Sequence, residues 1–254
     1  MKKEKQKKEM LEEEKKVKIE KTDINKQECV YHKYLWYLIL FSVIGLFVEI
    51  ILCFIIGKMS NKEFGLILGP FCIIYGLGVA TAVFLLDRFK QKRIKLFILG
   101  AILGTIIEYT TSFILEAILG ARLWNCEGIK FSANGRTCIQ HAILWGILSV
   151  IVISFLKKYI DILINKMRGR KSLIVDIIFT MVLVVIIILT IWGAITYSVR
   201  AKEILNGKNY TSNNNIIEKF QNTVFSDEIM EKIFSNMEIM DNEGRWILVK
   251  NING

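Results

Sequence analysis

The sequence predicts an all-α fold: a polytopic membrane helical bundle with five transmembrane helices. Three observations lead there. Apolar runs fill most of residues 34–197, each is about as long as a bilayer is thick, and charge collects between them. The spans read as 34–57, 66–86, 96–119, 138–156 and 173–197. A hydrocarbon core of about 30 Å takes around 20 helical residues at ~1.5 Å each. Period-two alternation is absent, and lipid cannot satisfy an open strand edge, so helices are the expected solution. A soluble helical protein is disfavoured, because five such runs in series would leave it no soluble surface.

Residues 1–33 form a charged arm with 11 Lys against 8 acidic residues, including Glu12–Glu14 before Lys15 and Lys16. The charged stretch is too long for a signal peptide, and no small-residue cleavage site follows the first apolar run. A solvated arm that lies against anionic lipid or stays disordered is expected.

On the first span, Ser42, Gly45, Glu49 and Cys53 fall within an arc of about 80° at helical periodicity. The second span places Gly69, Cys72, Gly76 and Ala80 on a similar arc, with Gly78 nearby. Small residues at this spacing let helices approach closely. Pro70, the single proline of the chain, is expected to bend or fray the second helix near its outer end. The third span gathers Thr105, Glu108, Tyr109, Ser112 and Glu116 within about 100°, with Gly100 and Gly104 as a further small-residue contact. Glu116 stands roughly 12 Å nearer the outer surface than Glu108. A carboxylate inside a bilayer costs roughly 2.5–3.5 kcal/mol on insertion scales, so Glu49, Glu108 and Glu116 are expected to face the bundle interior and to have partners.

The fourth span aligns Cys138, His141, Trp145 and Ser149 on one face. Arg122 and Arg136 bracket the loop before it, within reach of Glu116. They form either an ion pair that closes the bundle or part of a polar pocket open to the outside. The fifth span is aliphatic from Val182 to Ile188, with Trp192 and Tyr197 as interfacial anchors, and is expected to face lipid or a second copy. Asp176, near its start, suits a helix N-terminus and calls for no other role. In the tail, 198–254, Ser226 reads as a helix cap before an amphipathic stretch, Asp241–Gly244 as a turn and Trp246–Val249 as a strand.

Between the spans, Lys and Arg number 11 before the first, then 2, 5, 3 and 6 in successive loops, and 7 in the tail. Alternate segments therefore hold 22 on one side and 12 on the other. The positive-inside rule puts the N-terminal arm in the cytoplasm and the tail outside. The net charge of +10 is then topological, and no nucleic-acid partner is expected. No CxxC pairing exists among the five cysteines, so neither a metal site nor a cofactor is expected; a bridge between Cys126 and Cys138 is left open.

Several segments occur in a recognisable order: Gly45 to Glu49, Gly69-Pro-Phe-Cys-Ile-Ile-Tyr-Gly-Leu-Gly78, Glu108-Tyr-Thr-Thr-Ser with Glu116, and Asn134-Gly-Arg-Thr-Cys138 with Trp145-Gly146. Over about residues 34–160 the chain resembles a bacterial family of ABC transporter permeases, the "putative ABC-transporter type IV" proteins. It departs from their pattern at Ile73, at Asn61-Lys62-Glu63 and at Trp124-Asn125-Cys126, where the pattern has proline, Asn-Arg-Gly and Trp-Asp-Tyr. The Asp missing at 125 removes one partner for Arg136.

The resemblance implies a permease in the bacterial cytoplasmic membrane that uses ATP hydrolysed elsewhere. No P-loop is present: neither Gly57-Lys58 nor Gly207-Lys208 has a glycine five residues upstream or a following Ser or Thr. A separate ABC ATPase on the basic cytoplasmic loops is therefore implied. Pairing into a homodimer is also suggested, since five helices alone make a small pathway. Glu49, Glu108, Tyr109, Ser112, Glu116 and His141 would line or brace that path. An enzyme is not expected, because intramembrane Asp pairs, HExxH and G-x-S-x-G are all absent. A membrane scaffold or sensor without transport activity is the alternative.

Overall fold

The computed structural model describes residues 28–51, 65–167, 169, 172–207 and 216–253. Among the described residues, four helices are long and apolar enough to cross a membrane. They are α1 (Glu28–Ile51), α3 (Arg93–Leu119), the continuous helix Ile139–Met167, and α6, apolar from Leu173 to Leu205. Residues 1–27 of the expected arm and 52–57 of the first span lie outside the described residues. The arm's last six residues, 28–33, already belong to α1.

The second run departs from its expectation. Its helix, α2 (Ile73–Leu86), has 14 residues. Gly69 and Pro70 sit in an exposed bend before it, so neither packs within a helix. Gly69 adopts φ +85°, which glycine reaches without steric cost. Pro70 offers no amide hydrogen and disfavours helical geometry at the residue before it. Helix therefore starts only once both have passed. The backbone here finds partners within the stretch and on α1: Leu66 N–H donates to the Phe71 carbonyl and Cys72 N–H to the Ser42 carbonyl, each at 3.0 Å.

After a short 3₁₀ turn at Asp87–Phe89, α3 runs unbroken to a left-handed cap at Gly120 (φ +61°). The fourth run does not end at 156. It comprises α4 (Ile139–Ile151), a π turn at Val152–Leu156, and α5 (Lys157–Met167). Lys157 and Lys158, expected in a loop, are therefore on the helix. Likewise α6 (Ser172–Leu205) carries the fifth run past 197.

Glycines set the interhelical distances. A Cβ on Gly104 would lie 2.1 Å from Trp145 Cγ, and one on Gly78 would lie 2.4 Å from the far edge of the same ring. Trp145 thus wedges between α2 and α3, because both present hydrogen where any other residue presents carbon. Gly76 meets the backbone of Leu38, and Gly45 meets Tyr75.

Two apolar clusters mark the ends of the bundle. One gathers Tyr37, Phe41, Val83, Leu86, Leu96, Ile153 and Ile164. The other gathers Leu119, Trp124, Tyr197, Phe225, Met230 and Ile239. At the first end, Asp176 is more than a helix-terminal acid. Its carboxylate is 2.7 Å from His32 Nδ1 and accepts a hydrogen bond from Trp36 Nε1 at 3.0 Å. At the second end, the tail forms α7 (Ile216–Val224), α8 (Asp227–Ile233), two strands and the single turn α9 (Lys250–Asn253). Strand β1 (Ala121–Arg122) pairs antiparallel with β2 (Glu238–Met240), which pairs antiparallel with β3 (Trp246–Leu248). This sheet joins the tail to the loop between α3 and α4, a link too short on the β1 side to show as alternation.

Candidate functional site

The polar stripe of α3 meets the start of α4 and the loop between them, residues 120–138. That loop is closed by short-range bonds. Cys126 N–H donates to the Gly135 carbonyl at 2.7 Å, Trp124 Nε1 to the Arg136 carbonyl at 2.8 Å, and Ala133 pairs with Thr137 as an isolated β-bridge. Phe131 and Asn134 take positive φ within it. The fold brings Arg122 and Arg136, distant in sequence, onto one carboxylate.

Glu116 accepts from Arg122 Nε at 2.7 Å and from Arg136 Nη1 and Nη2 at 2.7 and 3.1 Å. Both arginines are buried, and Arg122 also reaches Glu127 at 2.8 Å. The guanidinium of Arg136 lies over the rings of Tyr109 and Phe113, and that of Arg122 lies 4.1 Å from the Trp246 ring centroid. Tyr109 Oη in turn accepts from Asn134 Nδ2 at 3.1 Å. Of the two arrangements left open for Arg122 and Arg136, the structure forms the ion pair. Asn125, where the pattern has Asp, donates to Glu238 at 2.8 Å, so Arg136 has a carboxylate without it.

Glu108, about two turns away, is held differently. Thr137 Oγ1 donates to its Oε2 at 2.8 Å, while Oε1 lies 2.5 Å from His141 Nδ1. Cys126 Sγ approaches the same ring nitrogen at 3.9 Å. Cys126, Cys138 and His141 each place one donor atom within 4.8 Å of the others, and both cysteines are buried free thiols. Burial pushes the Cys126 thiol above its ordinary pKa, against the pull of the imidazole beside it. Sequence spacing concealed this cluster, since its side chains are twelve and three residues apart and converge only after the loop folds over the start of α4. Chemically, Glu108 and His141 can share or exchange a proton, whereas Glu116 is saturated by fixed cations.

Ser112 is buried on α3 between the two glutamates. Glu49 is buried on α1, seven residues beyond Ser42, whose carbonyl anchors the residue before α2. Residues 36–191, more than half of the chain, match the family described as "Putative ABC-transporter type IV". The chain belongs to that family. No curated protein and no solved structure matches it. The type IV match takes in α1 through most of α6, and so includes every residue of the Glu108 and Glu116 networks except the tail residues Glu238 and Trp246.

Proposed function

We propose that the chain is the membrane-spanning permease subunit of an ABC-type transporter, driven by ATP hydrolysed on a separate subunit and itself no enzyme. Membership of the type IV family over residues 36–191 carries this reading. The site supports it: Glu108, His141 and Thr137 form an exchangeable polar cluster among apolar helices, as a pathway residue requires. Glu116 with its two arginines braces the end of that path.

We read five crossings of the bacterial cytoplasmic membrane, with the N-terminus inside and the C-terminus outside. His32 lies beside Asp176 at the start of α6, while the tail packs on Tyr197 and Ala201 near its end. Termini at opposite ends of a bundle need an odd number of crossings. The four long helices supply four, and residues 65–86 supply the fifth in broken form. Fourteen helical residues cover about 21 Å. The irregular stretch before them makes up the remainder, tolerated where protein covers it. Arg88, Lys90, Lys92, Arg93 and Lys95 are exposed at the inner end and suit an ATPase subunit or anionic lipid. α6 is the least enclosed long helix, with 11 % of its apolar window buried, so its outer face meets lipid or a second copy in a homodimer.

The sheet that ties the tail to the 120–138 loop favours a second reading, a membrane scaffold or sensor that presents this face to a partner. One experiment separates the two. The tagged protein is purified in mild detergent from its native membrane and co-purifying chains are identified by mass spectrometry. A stoichiometric ABC-type ATPase supports the permease. Its absence, under conditions that keep other membrane complexes intact, leaves the scaffold or sensor ahead.

A further inference from the structure

We infer that Cys126, Cys138 and His141 form a binding site for a thiophilic divalent cation of the zinc class. The three side chains converge from the loop after β1 and from the first turn of α4, each with one donor atom within 4.8 Å of the others. Tetrahedral zinc with bonds of about 2.3 Å to sulfur and 2.0–2.1 Å to nitrogen sets donor atoms about 3.5–3.8 Å apart. The Cys126 Sγ to His141 Nδ1 separation, 3.9 Å, is already close to that spacing, and Cys138 Sγ lies within 4.8 Å of both.

The surroundings are those of a held site. The Cys126 amide is fixed on the Gly135 carbonyl, and Cys138 is the residue at which α4 begins. Glu108 grips the imidazole at 2.5 Å and is itself held by Thr137. That contact is made to Nδ1, the nitrogen that also faces Cys126 Sγ, so a metal ion bound there takes the place of the hydrogen bond and has the Glu108 carboxylate beside it. Glu108 is also the carboxylate placed to complete a fourth position, which water would otherwise fill. Two thiolates and an imidazole select zinc, cobalt or copper over magnesium and calcium, which take oxygen ligands. Binding breaks two S–H bonds, forms two metal–sulfur bonds and one metal–nitrogen bond, releases the two thiol protons to water, and moves the proton between Nδ1 and Glu108 onto Nε2 or into water. The loop would then be clamped to α4 across the face where Glu108 lies, independently of whether the chain transports.

Cobalt(II) is the probe. The full-length protein in detergent, reduced and stripped with chelator, is titrated with Co²⁺ and then with Zn²⁺. About one cobalt per chain is expected. Thiolate-to-cobalt charge transfer should appear in the near ultraviolet with tetrahedral bands in the visible, and zinc should remove both. Cys126→Ser or Cys138→Ser should abolish the charge-transfer band. Glu108→Gln should weaken cobalt binding about 10–100-fold. The triple variant Cys29→Ser, Cys53→Ser, Cys72→Ser should retain it. Should the serine variants misfold, zinc protection of Cys126 and Cys138 from alkylation in the unaltered protein, read by mass spectrometry, gives the same answer. Cobalt bound without a sulfur band, a band that survives Cys138→Ser, or a chain that takes up no cobalt after its Cys126–Cys138 pair is fully reduced would each overturn the site.

Discussion

Replacing Glu116 by glutamine keeps the size of the side chain and removes its charge. In the structure this carboxylate accepts three hydrogen bonds from two arginines, at 2.7, 2.7 and 3.1 Å. The arginine side chains are 8 and 11 % exposed and that of Glu116 is 24 % exposed. Fully exposed pairs are worth about 0–1 kcal/mol, while removing one partner of a buried pair costs about 3–5 kcal/mol. An amide oxygen still accepts one bond, and water reaches part of the site. The expected loss is therefore about 2–4 kcal/mol, below the fully buried limit. At about 2–4 °C per kcal/mol for a chain of this size, apparent Tm should fall by roughly 4–16 °C. Thermal unfolding in detergent, followed by tryptophan fluorescence and by gel-filtration recovery, reads this directly. Arg136→Gln and the double variant complete a cycle, and coupling of at least about 1 kcal/mol is expected between such neighbours. A Tm within about 2 °C of the parent, or additive single losses, would refute the claim that Glu116 closes this end of the bundle.

Three further outcomes follow from the packing and the charges. Gly104→Ala puts a carbon 2.1 Å from Trp145 Cγ and should cost about 1–3 kcal/mol, with partial recovery when Trp145→Leu is added; an unshifted melting curve for the single variant would contradict the wedge. Asp176→Ala leaves His32 and Trp36 without their shared acceptor in a site where Asp176 is 1 % exposed, and should cost about 3 kcal/mol, whereas an exposed helix-terminal acid would cost under about 1 kcal/mol in the same melting assay. The Arg245 backbone amide, at 2.8 Å, holds Asp241 below the usual carboxylate pKa, so its contribution to the 241–245 turn is present above about pH 4 and lost as pH falls through the lowered value; hydrogen exchange at Arg245, corrected for intrinsic rate, should accelerate only in that acid range.

Long-range order in the sequence was easiest to read where one residue type dominates a whole segment. The helices α1, α3, α4 and most of α6 follow from apolar run length alone, because no other structure satisfies so many backbone groups among so many aliphatic side chains, whereas α5, which begins at Lys157 and Lys158, does not. The Glu116–Arg122–Arg136 cluster was legible for a related reason: an acid in an apolar run needs cations, and few lie near in sequence. Chain direction and hidden partners were harder. Hydropathy counts Leu66–Cys72 as part of the second run, but Gly69 φ and the missing Pro70 amide decide its backbone, and hydropathy carries neither. Asp176 read as a helix-terminal charge because its partners, His32 and Trp36, are 144 and 140 residues away. β1 is two residues long, too short for a period of two to be visible.

The two carboxylates of α3 show why residue type alone did not separate brace from moving part. Both sit on the same face, eight residues apart, and both have partners. Glu116 faces two guanidiniums, which stay charged at any pH the protein meets, so its own charge is fixed with them. Glu108 faces a hydroxyl and an imidazole, groups that can rotate, release a proton or turn to a metal ion. Of the two, Glu108 is the carboxylate whose partners can exchange a proton or a ligand. The two sites lie about 12 Å apart along one unbroken helix, and the side chains in direct contact with Glu108 come from the 120–138 loop, at Thr137, and from α4, at His141.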